Sequence, residues 1–439
     1  MLAVLRNRTY RHLFLAQVIA LIGTGLATVA LGLLAFNLAG DNAGAVLGTA
    51  LAIKMIAYVG VAPIASAFAE RLPRRAMLVT LDLVRAGVAV MLPFVTEIWQ
   101  VYILIFLLQS ASAAFTPTFQ ATIPDVLPDE RDYTRALSLS RLAYDLESVV
   151  SPLLAAALLT VISFNSLFAG TVIGFAASAL LVVSVTLPSP KPAAPRGIYD
   201  RTTRGLRIYL KTPRLRGLLA LTFAVSAAGA MVIVNTVVLV QAGFGLDQQW
   251  TAIALAAFGA GSMGAAFALP TLLDRFPDRS VMLVGAAVLV VTMLLGSLLA
   301  GYASLLVLWA IVGIGYSVTQ TPSGRLIRRS SHAEDRPALF AAQFALSHAT
   351  WLVTYPLAGW LGAAAGLPIT FLVMAAIAAA GLIAGLYLWP ARDPVIVEHT
   401  HADLPAGHAH IVQARPAGTG YAHAHDFVID NEHTSWPVR

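Results

Sequence analysis

The chain has 439 residues, of which 58% are hydrophobic and only 11% are Asp, Glu, Lys or Arg, and its mean hydropathy is +0.77. A soluble domain carries about 25% charged residues, so this chain cannot cover its surface in water and reads as an integral membrane protein. Its net charge of +6 suits orientation in a bilayer better than nucleic-acid binding. The absence of cysteine excludes disulfides, thiolate metal sites, cysteine nucleophiles and iron–sulfur clusters.

Twelve apolar stretches approach the roughly 20 residues that a spanning helix needs: 12–37, 44–69, 76–95, 98–123, 135–161, 165–187, 217–242, 248–272, 280–301, 304–327, 337–363 and 366–389. None alternates in polarity over about ten residues as barrel strands do. All are therefore expected to be helices, and the first is too long for the apolar core of a signal peptide. Loops after odd-numbered spans, such as Asp41 to Asn42, Thr96 to Glu97 and Gly243 to Asp247, hold no Lys or Arg. Loops after even-numbered spans up to the tenth carry clusters, among them Arg71, Arg74 and Arg75, then Arg325, Arg328 and Arg329. The positive-inside rule then places both termini in the cytoplasm.

The longest connector, 188–216, has eight basic residues against Asp200 alone; it starts Pro-rich and ends as an expected basic interfacial helix. It divides an N-terminal half, 1–187, from a C-terminal half, 217–390.

Apart from Arg135 and Arg325 at the span ends, six charged residues fall inside the spans: Lys54, Asp82, Arg85, Arg141, Asp145 and Glu147. Each charge at the bilayer centre costs about 3 kcal/mol on insertion scales, so it needs a partner, a wet cavity or a role. Arg141 and Asp145 share a helix face at i, i+4 and suit a pair, whereas Asp145 and Glu147 lie about 200° apart and cannot serve one site. Glu147 is accordingly the favoured proton or cation carrier. Lys54 either pairs with one of these carboxylates, alternates with cargo for it, or snorkels outward. His348 in the eleventh span can bind a transition metal or shuttle a proton, or can simply be hydrogen-bonded. Asn37, Asn235, Gln109, Gln320 and Gln343 either line a polar path or join helices to one another.

Residues 391–439 are polar and rich in Pro, Gly and Ala, and they hold seven of the ten histidines. They are expected to form a disordered tail. His399/His401, His408/His410 and His423/His425 are His-x-His units, followed by His433, with Asp403, Asp426 and Glu432 close by. In an extended segment i and i+2 project to one face, so each unit can offer two imidazoles to a cation such as Zn, Cu or Ni.

The chain also repeats itself. Glu70-Arg71-Leu72-Pro73-Arg74-Arg75 returns as Asp274-Arg275-Phe276-Pro277-Asp278-Arg279, and Pro152 returns as Pro356, both displaced by 204 positions. The same shift sets His348 at the position of Tyr144. Two six-helix repeats of one orientation form a substrate site at the midplane between them.

With these turns, the chain resembles the major facilitator superfamily over residues 1–390, with Ser66, Glu70 and Pro73 standing where that family's loop signature has Gly, Asp and Gly. The resemblance implies twelve helices in two halves. It also implies a gating role for Glu70, Arg71 and Arg75 in the first turn and for Asp274, Arg275 and Arg279 in the second, with Asp82 and Arg85 in support. Ser151-Pro152 followed by Ala155 and Ala156 resembles the antiporter signature, and Phe115-Thr116-Pro117 with Ile123-Pro124 resembles exporters of macrolides and siderophores. Tyr144-Asp145-Leu146-Glu147, together with the tail, is similar to the nickel and cobalt resistance branch.

The sequence therefore leads to a proton-coupled exporter of divalent metal ions. The runner-up is an exporter of a drug-like or siderophore molecule, and the third reading is a membrane metal receptor that does not transport. No P-loop, nucleophile or triad-like arrangement points to an enzyme or an ATP-driven pump. The expected energy source is the proton gradient without a bound cofactor, and the expected setting is a monomer in the plasma (cell inner) membrane, in contact with lipid and its small-ion or small-molecule substrate but with no nucleic acid.

Overall fold

The computed structural model describes residues 2–39, 43–69, 72–188, 197–401, 404–405, 408–412 and 414–437. Spans one to six are α1 (Arg8–Ala39), α2 (Ala43–Ala69), α3 (Arg74–Met91), α4 (Ile98–Val126), α5 (Glu130–Leu159) and α6 (Phe164–Val183). An amphipathic helix, α7 (Ile198–Lys211), follows, and then α8 (Pro213–Val237), α9 (Gln248–Arg275), α10 (Asp278–Gly296), α11 (Tyr302–Gln320), α12 (Ser323–Arg329), α13 (Arg336–Ala364) and α14 (Leu367–Leu388). The tenth span is broken into α11 and α12 around Pro322, which cannot donate a helical hydrogen bond. Setting aside α7 and the short α12, twelve spanning helices remain in two six-helix halves, as expected from the sequence.

Nine described segments are long and apolar enough to cross a membrane by composition alone. The helices α2, α5 and α13 carry Lys54, the Arg141-to-Glu147 run and His348. Their polar residues are tolerated because they turn toward a cavity between the halves rather than toward lipid. The lipid face is apolar, with Leu83, Val90, Ile173, Val284 and Trp360 among its exposed side chains.

Small residues let the helices approach closely. A Cβ at Gly313 would sit 2.0 Å from the Phe258 carbonyl oxygen, and one at Gly261 1.9 Å from that of Ala310, so α9 and α11 meet backbone to backbone. Gly313→Ala is expected to lower the thermal unfolding midpoint in detergent. Gly264→Ala, where a Cβ meets nothing within 4 Å, is expected to leave it unchanged.

The tail differs from the disordered segment expected. It contains a three-stranded antiparallel sheet of β1 (Ile396–His401), β2 (Arg415–Ala417) and β3 (Gly420–Asp426), in the order β1-β3-β2. Its fold is anchored by Phe427 and Ile429, 3% and 4% exposed, which join the same apolar cluster as Tyr209, Leu339 and Trp389. Average composition conceals such an anchor because the apolar residues are few and concentrated at one end. The connector also departs from a lipid-interfacial helix: α7 docks on α13, with Gly205 tight against the Ala338 backbone and Tyr209 donating to Gln343.

Candidate functional site

A cavity of about 520 Å³ lies between the halves. Its walls come from α1 to α6 on one side and α11, α12 and α13 on the other, and they include Lys54, Arg85, Arg141, Glu147 and His348. Glu147 is the one carboxylate among the described residues of the lining. It shares an electrostatic interaction with Lys54, whose ammonium lies 5.5 Å from the Tyr58 ring centroid. Asp145 faces elsewhere: it is 2% exposed and ion-paired to Arg141. Arg141 also donates to Ser262 at 3.0 Å and lies over the Tyr316 ring, and so ties α5 to the other half.

His348 stands edge-on to Tyr58 at 4.7 Å and 4.2 Å from the Phe344 ring. Its Nδ1 is 2.7 Å from the Phe344 carbonyl oxygen. A carbonyl only accepts, so Nδ1 carries the proton and Nε2 the lone pair. Gly25 abuts this region: a Cβ there would lie 2.7 Å from Glu147 Oε1 and 2.2 Å from Ser151 Cβ. Gly25→Val is expected to impair transport severely without altering any charge, whereas Gly60→Ala, in open space, is expected to leave transport intact.

The end of the bundle that bears α7 and the tail, here the tail face, is closed by ion pairs across the halves. Asp125 accepts from both Arg74 and Arg336. Arg325 pairs with Glu130 at 2.7 Å and Asp278 at 2.8 Å and donates to Thr134, and Arg328 donates to the Pro128 carbonyl. Among the described residues these contacts close the face. Glu70 and Arg71 lie outside the described residues, and Arg75 and Arg275 are exposed. Asp274 meets Arg131 across the halves at 3.7 Å with both side chains in solvent, a geometry worth little. Arg279 instead caps α14 by donating to the Trp389 carbonyl at 2.9 Å.

Asp82 and Arg85 stand apart from these contacts. They form a buried pair inside the N-terminal half, where Ser178 donates to Asp82 at 2.8 Å and Arg85 is held between the Phe115 and Phe175 rings. The sequence repeat held the missed signal: the 204-residue shift maps Arg74 and Asp125 onto Asp278 and Arg329, which face each other at 3.9 Å with charges exchanged.

A second site lies in the tail. Register places His399 opposite His423, and the ligand atoms of His399, His410, His423, His425 and His433 all lie within 4.8 Å of one another. His433 was not among the metal candidates, and it joins the cluster. His401 packs beside it, its ring 4.9 Å from His410. His408 stands apart as the cap of a short turn, where its Nδ1 accepts from the His410 amide, so the metal role expected of it has no geometric support. Asp403 lies outside the described residues.

Three of the rings have an acceptor on the outer nitrogen: His399 Nδ1 has the Val397 carbonyl at 3.0 Å, His425 Nδ1 the Asp426 carbonyl at 2.8 Å, and His433 Nδ1 the Asp430 carboxylate at 2.9 Å. Their lone pairs are therefore on Nε2, and the Nε2 atoms converge: His399 is 3.1 Å from His423 and 3.0 Å from His433, and His410 is 3.1 Å from His433. Ligands 2.0–2.1 Å from one ion stand about 2.9 Å apart at right angles and about 3.4 Å apart in a tetrahedron. The spacing thus fits imidazoles around a cation, with the acceptors on Nδ1 as the outer shell that fixes the tautomers. Burial, reinforced by neighbouring imidazoles, pushes His399 and His423 down to about 4, so both are neutral and able to ligate at pH 7.

Two halves around a polar central cavity, closed at one end, define a membrane transporter of the secondary type. The sequence profile described as the Major Facilitator Superfamily matches residues 13–294 and 219–422, and the chain belongs to that family. Among curated relatives, macrolide efflux protein A of Streptococcus pyogenes is 26% identical over 152 residues, 32% of this chain and 37% of that protein. The Enterococcus faecalis protein of the same name matches equally over 47% of its length. The alignment thus spans less than half of these relatives. The fold is similar to that of the human organic anion transporter MFSD10 (TM-score 0.75, 13% identity, 86% of this chain and 99% of that one). It is also similar to that of a bacterial homologue of the iron transporter ferroportin (0.73, 13%, 87% and 99%).

Proposed function

We propose that this protein is a proton-coupled exporter of divalent metal ions such as Ni²⁺ or Co²⁺, working by alternating access in the plasma membrane with its tail face in the cytoplasm. The orientation follows from the basic residues concentrated on that face. The single observation that carries the coupling is the position of Glu147 as the carboxylate of the cavity wall, facing Lys54 and sharing the cavity with His348. A cargo ion entering from the cytoplasm displaces the Lys54 ammonium from Glu147 and takes the carboxylate and the His348 Nε2 as ligands, with amide and phenol oxygens completing its shell. Reorientation then exposes the site to the outside, where a proton on Glu147 removes the charge that held the ion. The tail site supports metal as the cargo class. Membrane lipid and cargo are the expected partners, and the unit is a monomer.

A second reading is favoured by the cavity itself. Its size is that of a drug-binding pocket, and Tyr58, Phe119, Tyr144, Tyr316 and Phe344 with several Gln amides suit an amphipathic organic molecule. The efflux relatives point the same way. Purified protein in vesicles with an acidic lumen separates the two: uptake of Ni²⁺ or Co²⁺ supports metal export, whereas uptake of a macrolide or cationic dye without metal rejects it.

A further inference from the structure

The histidine site is built into the gate rather than tethered beside it. Asp430 stands between the two: one oxygen accepts from His433 Nδ1 at 2.9 Å and from the His433 amide at 2.8 Å, and the other faces His332 Nε2 at 3.4 Å. His332 belongs to the turn between α12 and α13. Burial opposes charge on Asp430, but the hydrogen bonds from His332 and His433 outweigh it and hold the carboxyl well below its usual range.

The next residue, Asn431, accepts from Arg204 at 2.9 Å, and Arg204 binds Asp335 at the start of α13. Farther along, Lys211 donates to the Thr434 carbonyl at 2.7 Å, and Arg214 lies over the Trp436 ring. Phe427 touches the His399 and His433 rings on one side and belongs to the apolar cluster under α7 and α13 on the other. Asp335 is followed directly by Arg336, whose bond to Asp125 closes the tail face across the halves. A continuous path thus runs from the five imidazoles to a gate residue.

The imidazoles themselves are not at rest without a cation. His399 and His433 present Nε2 lone pairs to each other at 3.0 Å, and His425 Nε2 is buried with no hydrogen-bond partner. Protons on His423 and His410 Nε2 can serve the contacts to His399 and His433 but not the contact between His399 and His433 or the His425 nitrogen, whereas five converging nitrogens suit a single divalent ion.

We propose that the tail is a metal-operated latch: a divalent ion held by His399, His410, His423, His425 and His433 fixes Asp430 and the following turn, which hold α13 where Arg336 meets Asp125, so that metal in the cytoplasm drives the tail face closed. The latch rests on the tail cluster being a divalent-metal site, and on nothing about the cargo. Metal abundance would thereby favour the outward-releasing state of the transporter.

The test uses the full-length protein in lipid nanodiscs, with Leu72→Cys and Phe276→Cys carrying a donor and acceptor dye. These positions are exposed, lie on the tail-face turns of opposite halves and are related by the 204-residue repeat, and the absence of native cysteine makes the labelling specific. Zn²⁺ is expected to shift the transfer distribution toward the short-distance population. His399→Ala/His433→Ala should abolish both the shift and stoichiometric Zn²⁺ binding to the tail. Asn431→Ala, which removes the tail's acceptor for Arg204 and touches no ligand imidazole, should retain binding within about threefold by calorimetry but lose most of the shift.

Zn²⁺ binding without any shift overturns the latch, as does a full shift in Asn431→Ala or in the double histidine variant. Metal flux is read separately: a shift without flux of any metal leaves the latch standing and rejects metal as cargo, and flux without a shift does the reverse.

Discussion

Glu147→Gln is expected to reduce gradient-driven cargo movement by at least tenfold, and to do so without a large change in thermal stability. The amide keeps the shape and hydrogen-bonding capacity of the side chain but cannot release or take up a proton at any physiological pH. Glu147 is partly open to the cavity and meets Lys54 there rather than a tightly packed partner, so the substitution removes a titrating group more than a structural one. Cargo-for-cargo exchange between two loaded sides should survive in part, because a carrier that returns loaded does not require the proton. Transport assays in reconstituted vesicles, with and without a pH gradient, read both effects.

Asp145→Asn is expected to behave in the opposite way, as a folding defect. Asp145 is 2% exposed and paired with Arg141. Removing one member of a buried pair leaves the other charge uncompensated, a loss of about 3–5 kcal/mol. Arg141 would retain Ser262 and the Tyr316 ring, neither of which carries the opposite charge. The variant should unfold at a lower temperature in detergent and accumulate poorly in membranes, and Arg141→Leu/Asp145→Leu should recover much of the loss. Wild-type stability for Asp145→Asn, with transport lost, would exchange the roles given to the two carboxylates.

The membrane architecture was legible in the sequence because lipid imposes long apolar runs and the gene repeats its plan. The Arg141 and Asp145 pair was legible as well, since i, i+4 neighbours share a face whatever surrounds them. The closure of the tail face was not. Asp125 and Arg336 are 211 positions apart, and Arg74 reaches Asp125 over 51, so their meeting depends on how helices of different halves are placed. The family turn drew attention to Arg75 and Arg275, which are exposed, while the neighbouring Arg74 and Asp278 are buried and paired.

In the tail, the i and i+2 spacing relates His399 to His401 and His423 to His425 within each strand, and the register that sets His399 opposite His423 brings both pairs to one face of the sheet. The convergence of that face with His410 and His433 needed a sheet and a turn. The residues that stabilise them, Phe427, Ile429 and Trp436, bury themselves against α7 and the C-terminal half. Helical and strand periodicity over so short a segment carries no information about that docking.

The central claim is that cargo and protons exchange through Glu147. The most direct measurement is made in vesicles with an acidic lumen that hold one dye for Ni²⁺ and another for pH, with the tail face of the protein outward. On addition of Ni²⁺ to the wild type, lumenal Ni²⁺ and lumenal pH are predicted to rise together, and neither should rise with Glu147→Gln. Ni²⁺ entry with unchanged lumenal pH in the wild type, or the coupled rise persisting in Glu147→Gln, would contradict the account.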